Sequence, residues 1–254
     1  MVQGGKFPAL IRKFKGTPES MAMNGGGYFR DLLELFYPPL CVTCGRRLVT
    51  QERYICLHCM LDLPRTRFHA DPENKVAQLF WGRVPVEQAT SWLFFRKGSR
   101  YQRLVHYLKY KGLKELGEEM GRLFGSELKG SSFAGAGMVV PVPLHRRRER
   151  QRGYNQSEWI ARGVAAALEV PLSTGNLVRE RFTSTQTRKN RFERWQNVEG
   201  IFTVLRPEEF AGLHVLVVDD VVTTGATLEA AVVTLRDAGA SRVSIATLAC
   251  AEVG

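Results

Sequence analysis

The chain has 254 residues, enough for one good-sized domain with an appendage or for two small domains. With 44% hydrophobic, 24% charged and 10% aromatic residues its composition is that of an ordinary globular protein, which excludes a wholly disordered or fibrous chain, and its longest apolar runs fall far short of a membrane span. The 36 Lys and Arg against 25 Asp and Glu leave a formal charge of +11, so the folded surface should attract polyanions: nucleic acid, anionic phospholipid or a phosphorylated small molecule.

Residues 1–27 carry Gly4, Gly5, Gly16, Pro18 and the run Gly25, Gly26, Gly27 without a sustained period, and read as a flexible leader in which Met23 is an alternative start. The weakly amphipathic basic stretch at 7–15 lacks the apolar core and cleavage site of a secretory signal, so the expected location is the cytoplasm. Residues 28–36 place Phe29, Leu32, Leu33 and Phe36 on one face of a short helix that Pro38 and Pro39 end. Cys41-x2-Cys44 and Cys56-x2-Cys59 follow, eleven residues apart, the spacing of two zinc knuckles in an intracellular chain rather than of a disulfide frame. Four thiolates at this spacing close a tetrahedral structural zinc site with no position left for a substrate. Residues 28–63 are thus expected to form a helix and a four-cysteine zinc finger, whose Arg46, Arg47 and Arg53 would be available to nucleic acid.

Residues 64–87, interrupted by Pro64, Pro72 and Pro85, read as an irregular linker anchored by Phe68, Phe80 and Trp81. From 88 to 254 strand and helix signals alternate. A strand is expected at 89–95, then helical spacing through 101–128 in Leu104, Leu108, Leu113, Leu116, Met120 and Leu123, broken near Gly112. A buried strand at 138–142, an Ala-rich helix at 155–168, a strand at 213–218 apolar apart from His214, a helix at 227–238 and a strand at 242–248 complete the series, with Cys250 a small buried residue. Strands apolar on both faces and alternating with helices predict an α/β fold with a mostly parallel sheet covered on both sides.

The most informative stretch is 215–227, VLVVDDVVTTGAT. Four apolar residues deliver Asp219 and Asp220 to the carboxyl end of a strand, where parallel sheets bind ligands. Thr223, Thr224, Gly225, Ala226 and Thr227 then open a helix, and their N–H groups, hydroxyls and positive helix end suit a phosphate monoester. The carboxylates would instead engage vicinal hydroxyls, directly or through a divalent cation, so the pair of features asks for a ligand such as a 5-phosphorylated ribose. A Walker-type ATPase also ends a strand in acidic residues, but the chain contains no G-x-x-x-x-G-K-[ST].

At these residues the sequence resembles the phosphoribosyl-pyrophosphate signature of the type I phosphoribosyltransferases. The resemblance implies that fold, with Asp219 and Asp220 on the ribose hydroxyls as the catalytic pair and Thr223, Thr224, Gly225, Ala226 and Thr227 around the 5-phosphate.

A second segment, 139–160, runs from Pro141, Val142 and Pro143 through His145, Arg146, Arg147, Arg148, Arg150 and Arg152 before turning at Gly153 into a helix. Guanidinium groups at a strand end suit pyrophosphate or a nucleic-acid backbone, both of which accept bidentate bonds. A third, 179–194, interleaves Arg188, Lys189 and Arg191 with Phe182 and Phe192, and Trp195 follows; it reads as a hood over the ligand, a groove for DNA, or core aromatics under a wet charged face. PVPLHRRRERQRGYNQ, the four cysteines, HYLKYKG at 106–112 and the stretch from Thr185 and Gln186 to Phe202 together resemble the ComF/ComFC branch of phosphoribosyltransferase-like proteins. That resemblance implies a factor for DNA uptake in natural transformation that binds incoming single-stranded DNA in the cytoplasm and works with a DNA-translocating helicase. It also implies structural zinc and a retained site for phosphoribosyl pyrophosphate with magnesium. The alternative is an active phosphoribosyltransferase serving an unidentified acceptor.

Overall fold

Runs of β-branched and aliphatic residues such as Val215, Leu216, Val217 and Val218 need cover on both faces, and helices provide it. The computed structural model describes residues 38–179 and 201–251. Along the chain, helices α1 (Leu57–Leu61) and α2 (Lys75–Gln78) precede strand β1 (Ala89–Phe95), and α3 (Gln102–Tyr110) and α4 (Lys114–Leu128) lead to β2 (Met138–Pro141). Helices α5 (Arg146–Arg152) and α6 (Gln156–Leu168) follow, then the short strands β3 (Leu177–Arg179) and β4 (Phe202–Val204). β5 (His214–Val222), α7 (Ala226–Asp237) and β6 (Arg242–Ala251) complete the series.

β1, β6, β5 and β2 lie side by side in that order, all parallel, with Val218 opposite both Ala246 and Pro141. β3 and β4 form a separate antiparallel pair. Successive residues of β5 point to opposite faces. Leu216 and Val218 pack with Trp92, Leu116, Met120, Phe124 and Ile160, whereas Val215 and Val217 pack with Phe80, Leu228, Val232, Leu235 and Ile245. Each fully buried side chain of this size contributes roughly 1.5–3 kcal/mol. α4 and α6 meet backbone to backbone: a Cβ on Gly121 would fall 2.1 Å from the Ile160 carbonyl oxygen, so only glycine permits the approach.

The parallel α/β sheet with flanking helices matches expectation, and the break near Gly112 falls between α3 and α4. Three stretches differ. Residues 64–87, read as an irregular linker, contain a 3-10 turn at Phe68–Ala70 and α2, whose N-cap Asn74 accepts from the Val76 and Ala77 N–H groups at 2.9 and 3.1 Å. The Asn74 amide also donates to the Ala89 carbonyl at 2.8 Å, which fastens this stretch to β1 while Val76 and Phe80 enter the core.

The arginine-rich stretch after β2 is a helix, α5, rather than a basic loop between the strand end and the helix after Gly153: His145 Nδ1 caps it by accepting from the Arg147 N–H at 3.2 Å. β5 runs four residues beyond the expected end at Val218 because β6 keeps pairing with it, Val221 with Ala249 and Val222 with Cys250. His214, the polar exception in that strand, is buried with Nε2 2.8 Å from Ser244 Oγ and Nδ1 3.1 Å from the Gly135 carbonyl. Among the described residues no helix is long and apolar enough to cross a membrane. The expected helix at 28–36 and the segment holding Phe182, Thr185, Gln186, Arg188, Lys189, Arg191, Phe192 and Trp195 lie outside the described residues.

Candidate functional site

The four motif cysteines converge. The sulfurs of Cys41, Cys44, Cys56 and Cys59 all lie within 4.8 Å of one another, and Cys44 and Cys56 are 3.7 Å apart. Zinc bonded to four thiolates at about 2.3 Å spaces its sulfurs about 3.8 Å apart, so the donor set fits that ion. Sequence builds the two arms differently. The first is a tight turn in which the Cys41 N–H donates to the Arg46 carbonyl and the Gly45 N–H to the Cys41 carbonyl, both at 2.8 Å. The second is the start of α1, with Cys56 as N-cap and Cys59 one turn in. Between them the Glu52 carboxylate accepts from the Val49 and Leu57 N–H groups at 3.0 and 2.6 Å.

Burial would raise the Cys41 thiol, but N–H groups of Cys44, Cys56 and Thr43 outweigh it and draw it down to about 6, while burial pushes Cys59 up. A bound cation would supply the charge that lets all four ionise. The cluster is continuous with the main core, sharing it with Trp92 and Leu104. Tyr101 donates to the Asp62 carbonyl at 2.6 Å, and Arg103 to the Thr43 carbonyl at 3.3 Å. Arg46, Arg47 and Arg53 are exposed.

At the carboxyl end of the sheet, β5 presents Asp219 and Asp220. Ser157 Oγ, in the first turn of α6, donates to Asp219 Oδ1 at 2.6 Å, and the Asp220 N–H donates to the same oxygen at 2.8 Å. Lys109 Nζ, from α3, lies 2.9 Å from Asp220 Oδ2. Burial, reinforced by the Asp220 charge, nonetheless pushes the Asp219 carboxyl up to about 7.

The turn that follows leaves Thr223, Thr224 and Ala226 exposed and Thr227 half-buried, around Gly225, which caps α7 at φ +82°. Gly225 is required twice, because that conformation disfavours a side chain and an added Cβ would sit 2.9 Å from Phe80 Cε1. Arg83 braces the same turn, donating to the Thr224 carbonyl at 3.3 Å and bonding the Glu229 carboxylate at 2.6 and 2.9 Å. The stretch 64–87 therefore forms the backing of the turn. Exposed hydroxyls, N–H groups and a helix start can hold a phosphate, while two carboxylates can accept from a diol.

Of the cationic residues expected here, Arg148 and Arg152 line a cavity of about 510 Å³ together with Lys109, Tyr110 and Gln151. Arg146, Arg147 and Arg150 are exposed, and His145 serves as the α5 cap. Arg188, Lys189 and Arg191 lie outside the described residues. Arg179 on β3 is partly buried, and burial and the Arg148 charge lower its guanidinium while the Asp219 charge opposes them. Sequence reasoning misses Ser157 and Lys109 as partners of the acidic pair. Lys109 lies in a motif that marks α3 without saying what it faces, and Ser157 carries no local signal beyond its place after the Asn155 cap.

The phosphoribosyl transferase domain family matches residues 155–252, which include both Ser157 and the acidic pair. DNA utilization protein YhgH of Salmonella typhi is 34% identical over 224 residues, covering 84% of this chain and 91% of that one. Competence protein F of Haemophilus influenzae is 33% identical over 42% of this chain and 47% of its own, and competence protein ComFC of Bacillus subtilis is 34% identical over 44% and 43%. Likeness at this identity along nearly the whole length of YhgH, joined to the phosphoribosyltransferase-like domain, makes this chain a member of the ComF/ComFC competence and DNA utilization family.

Proposed function

We propose that the chain handles single-stranded DNA in the cytoplasm during DNA uptake, in company with a DNA-translocating helicase, and that its phosphoribosyltransferase-type domain retains a site for phosphoribosyl pyrophosphate. One observation carries the reading: Asp219 and Asp220, the Thr223–Thr227 turn and the cavity lined by Lys109, Arg148 and Arg152 are linked at one end of the sheet through the Lys109–Asp220 ion pair. The carboxylates accept from the ribose hydroxyls, the Thr223, Thr224, Gly225, Ala226 and Thr227 backbone and hydroxyls hold the 5-phosphate, and the guanidinium groups face the diphosphate or a DNA backbone. Magnesium would arrive with the diphosphate and neutralise part of its charge. Zinc, held by Cys41, Cys44, Cys56 and Cys59, orders residues 40–63 without touching the ligand.

Titration calorimetry with phosphoribosyl pyrophosphate and magnesium tests this. Wild type should bind saturably, and Asp219→Asn/Asp220→Asn should not. Absence of binding in folded, zinc-loaded wild type would mean that the motif persists only as scaffold.

A further inference from the structure

Tyr110 ends α3 with 65% of its surface exposed, yet it stands in company that an ordinary wet helix face would not assemble. The Arg152 guanidinium lies 5.6 Å over its ring, and the His106 ring, one helical turn earlier, is 5.1 Å away at 43°. Tyr110 also lines the 510 Å³ cavity with Lys109, Arg148, Gln151 and Arg152. Its neighbour Lys109 reaches Asp220 at 2.9 Å, and the Tyr154 hydroxyl donates to the Leu108 carbonyl, so the end of α3 is fixed to the acidic strand end on one side and to the turn before α6 on the other.

These groups select a ligand by chemistry. A bare polyphosphate would use the cations but has nothing to lay against an exposed ring. An apolar partner would use the ring but would leave Arg148 and Arg152, which have no carboxylate partner among the described residues, without counter-charge. An unpaired nucleotide uses both: a π face for the tyrosine and the guanidinium, a polar base edge for the Gln151 amide, and phosphates for Lys109 and Arg148. We propose that Tyr110, flanked by His106 and Arg152, is a stacking platform for one base of a single strand and sets its phosphates over the cavity beside the acidic pair. The proposal rests on the DNA-binding reading above and adds to it a place and a mode of binding.

The test compares a labelled oligothymidine strand with an abasic strand of the same length and charge, by fluorescence anisotropy at fixed salt. Wild type should bind the base-bearing strand more tightly. Tyr110→Ala should lose roughly 5- to 150-fold in affinity for oligothymidine, as expected for one stacked base, with no change toward the abasic strand, and Tyr110→Phe should restore wild-type binding. Wild-type binding of both strands with equal affinity, or a Tyr110→Ala variant that weakens both alike or neither, would overturn the platform and leave the DNA reading standing. Wild type that binds neither strand would overturn both.

Discussion

The cysteine cluster and the acidic end of β5 are both assembled from short motifs, but one turns its chemistry inward and the other leaves it on a rim. Cys41, Cys56 and Cys59 are buried, their sulfurs face one another, and the cluster shares a core with Trp92. At β5, Thr223 and Thr224 are open to solvent, and burial beside Asp220 keeps a proton on Asp219 up to about 7. A closed donor set stabilises the fold when filled. A half-buried carboxylate pair destabilises it near neutral pH, and such an arrangement is expected where a ligand, rather than the fold, supplies the compensating interactions. The contrast supports reading the first region as architecture and the second as a binding site.

Breaking the closed region should have the largest consequence. Cys41→Ser should remove about one zinc per chain and lower stability by several kcal/mol, seen together in metal analysis and thermal unfolding, because the cluster is part of the main core. The open region is held from behind, so Phe80→Ala should cost about 3–5 kcal/mol in denaturant unfolding and weaken phosphoribosyl pyrophosphate binding as the turn loses its support. Gly225→Ala should cost about 1–3 kcal/mol, and in the Phe80→Ala background the added cost should be smaller, since the clash with the ring is gone while the backbone strain remains. Replacing Arg146, Arg147 and Arg148 by Gln should leave stability within about 0.5 kcal/mol. It should flatten the salt dependence of single-strand binding by roughly 0.7 for each phosphate no longer neutralised, and an unchanged slope would remove these residues from the DNA path.

Much of this contrast was legible in the sequence. The parallel strands announced themselves as apolar runs, and the two C-x2-C pairs and the DDVVTTGAT stretch marked the two regions before any geometry was known. What stayed hidden depends on distant partners. α2 has four residues and no period to show, and its Asn74 cap and the packing of Phe80 on Gly225 join segments far apart in the chain. α5 is polar on every side, so no hydrophobic spacing separates it from a loop. β3 and β4, at three residues each, are too short for alternation to register. Ser157 and Lys109 reach the acidic pair from helices whose sequences say nothing of what they face.

The central claim is that the acidic end of β5 is held for a ligand at a cost to the fold, and Asp219→Asn addresses it directly. The folded protein keeps the Asp219 proton up to about pH 7, whereas an unfolded chain releases it near pH 4. The stability this carboxyl contributes is therefore fully present below about pH 4 and is lost as pH rises through 7. Thermal unfolding of wild type and Asp219→Asn between about pH 4 and pH 8, on samples also titrated with phosphoribosyl pyrophosphate and magnesium, reads both sides of the claim. The account predicts a variant more stable than wild type by ~1–3 kcal/mol at about pH 8, a difference that fades toward pH 4, and no ligand binding. A variant no more stable than wild type at pH 8, or one that binds the ligand as well as wild type does, would contradict it.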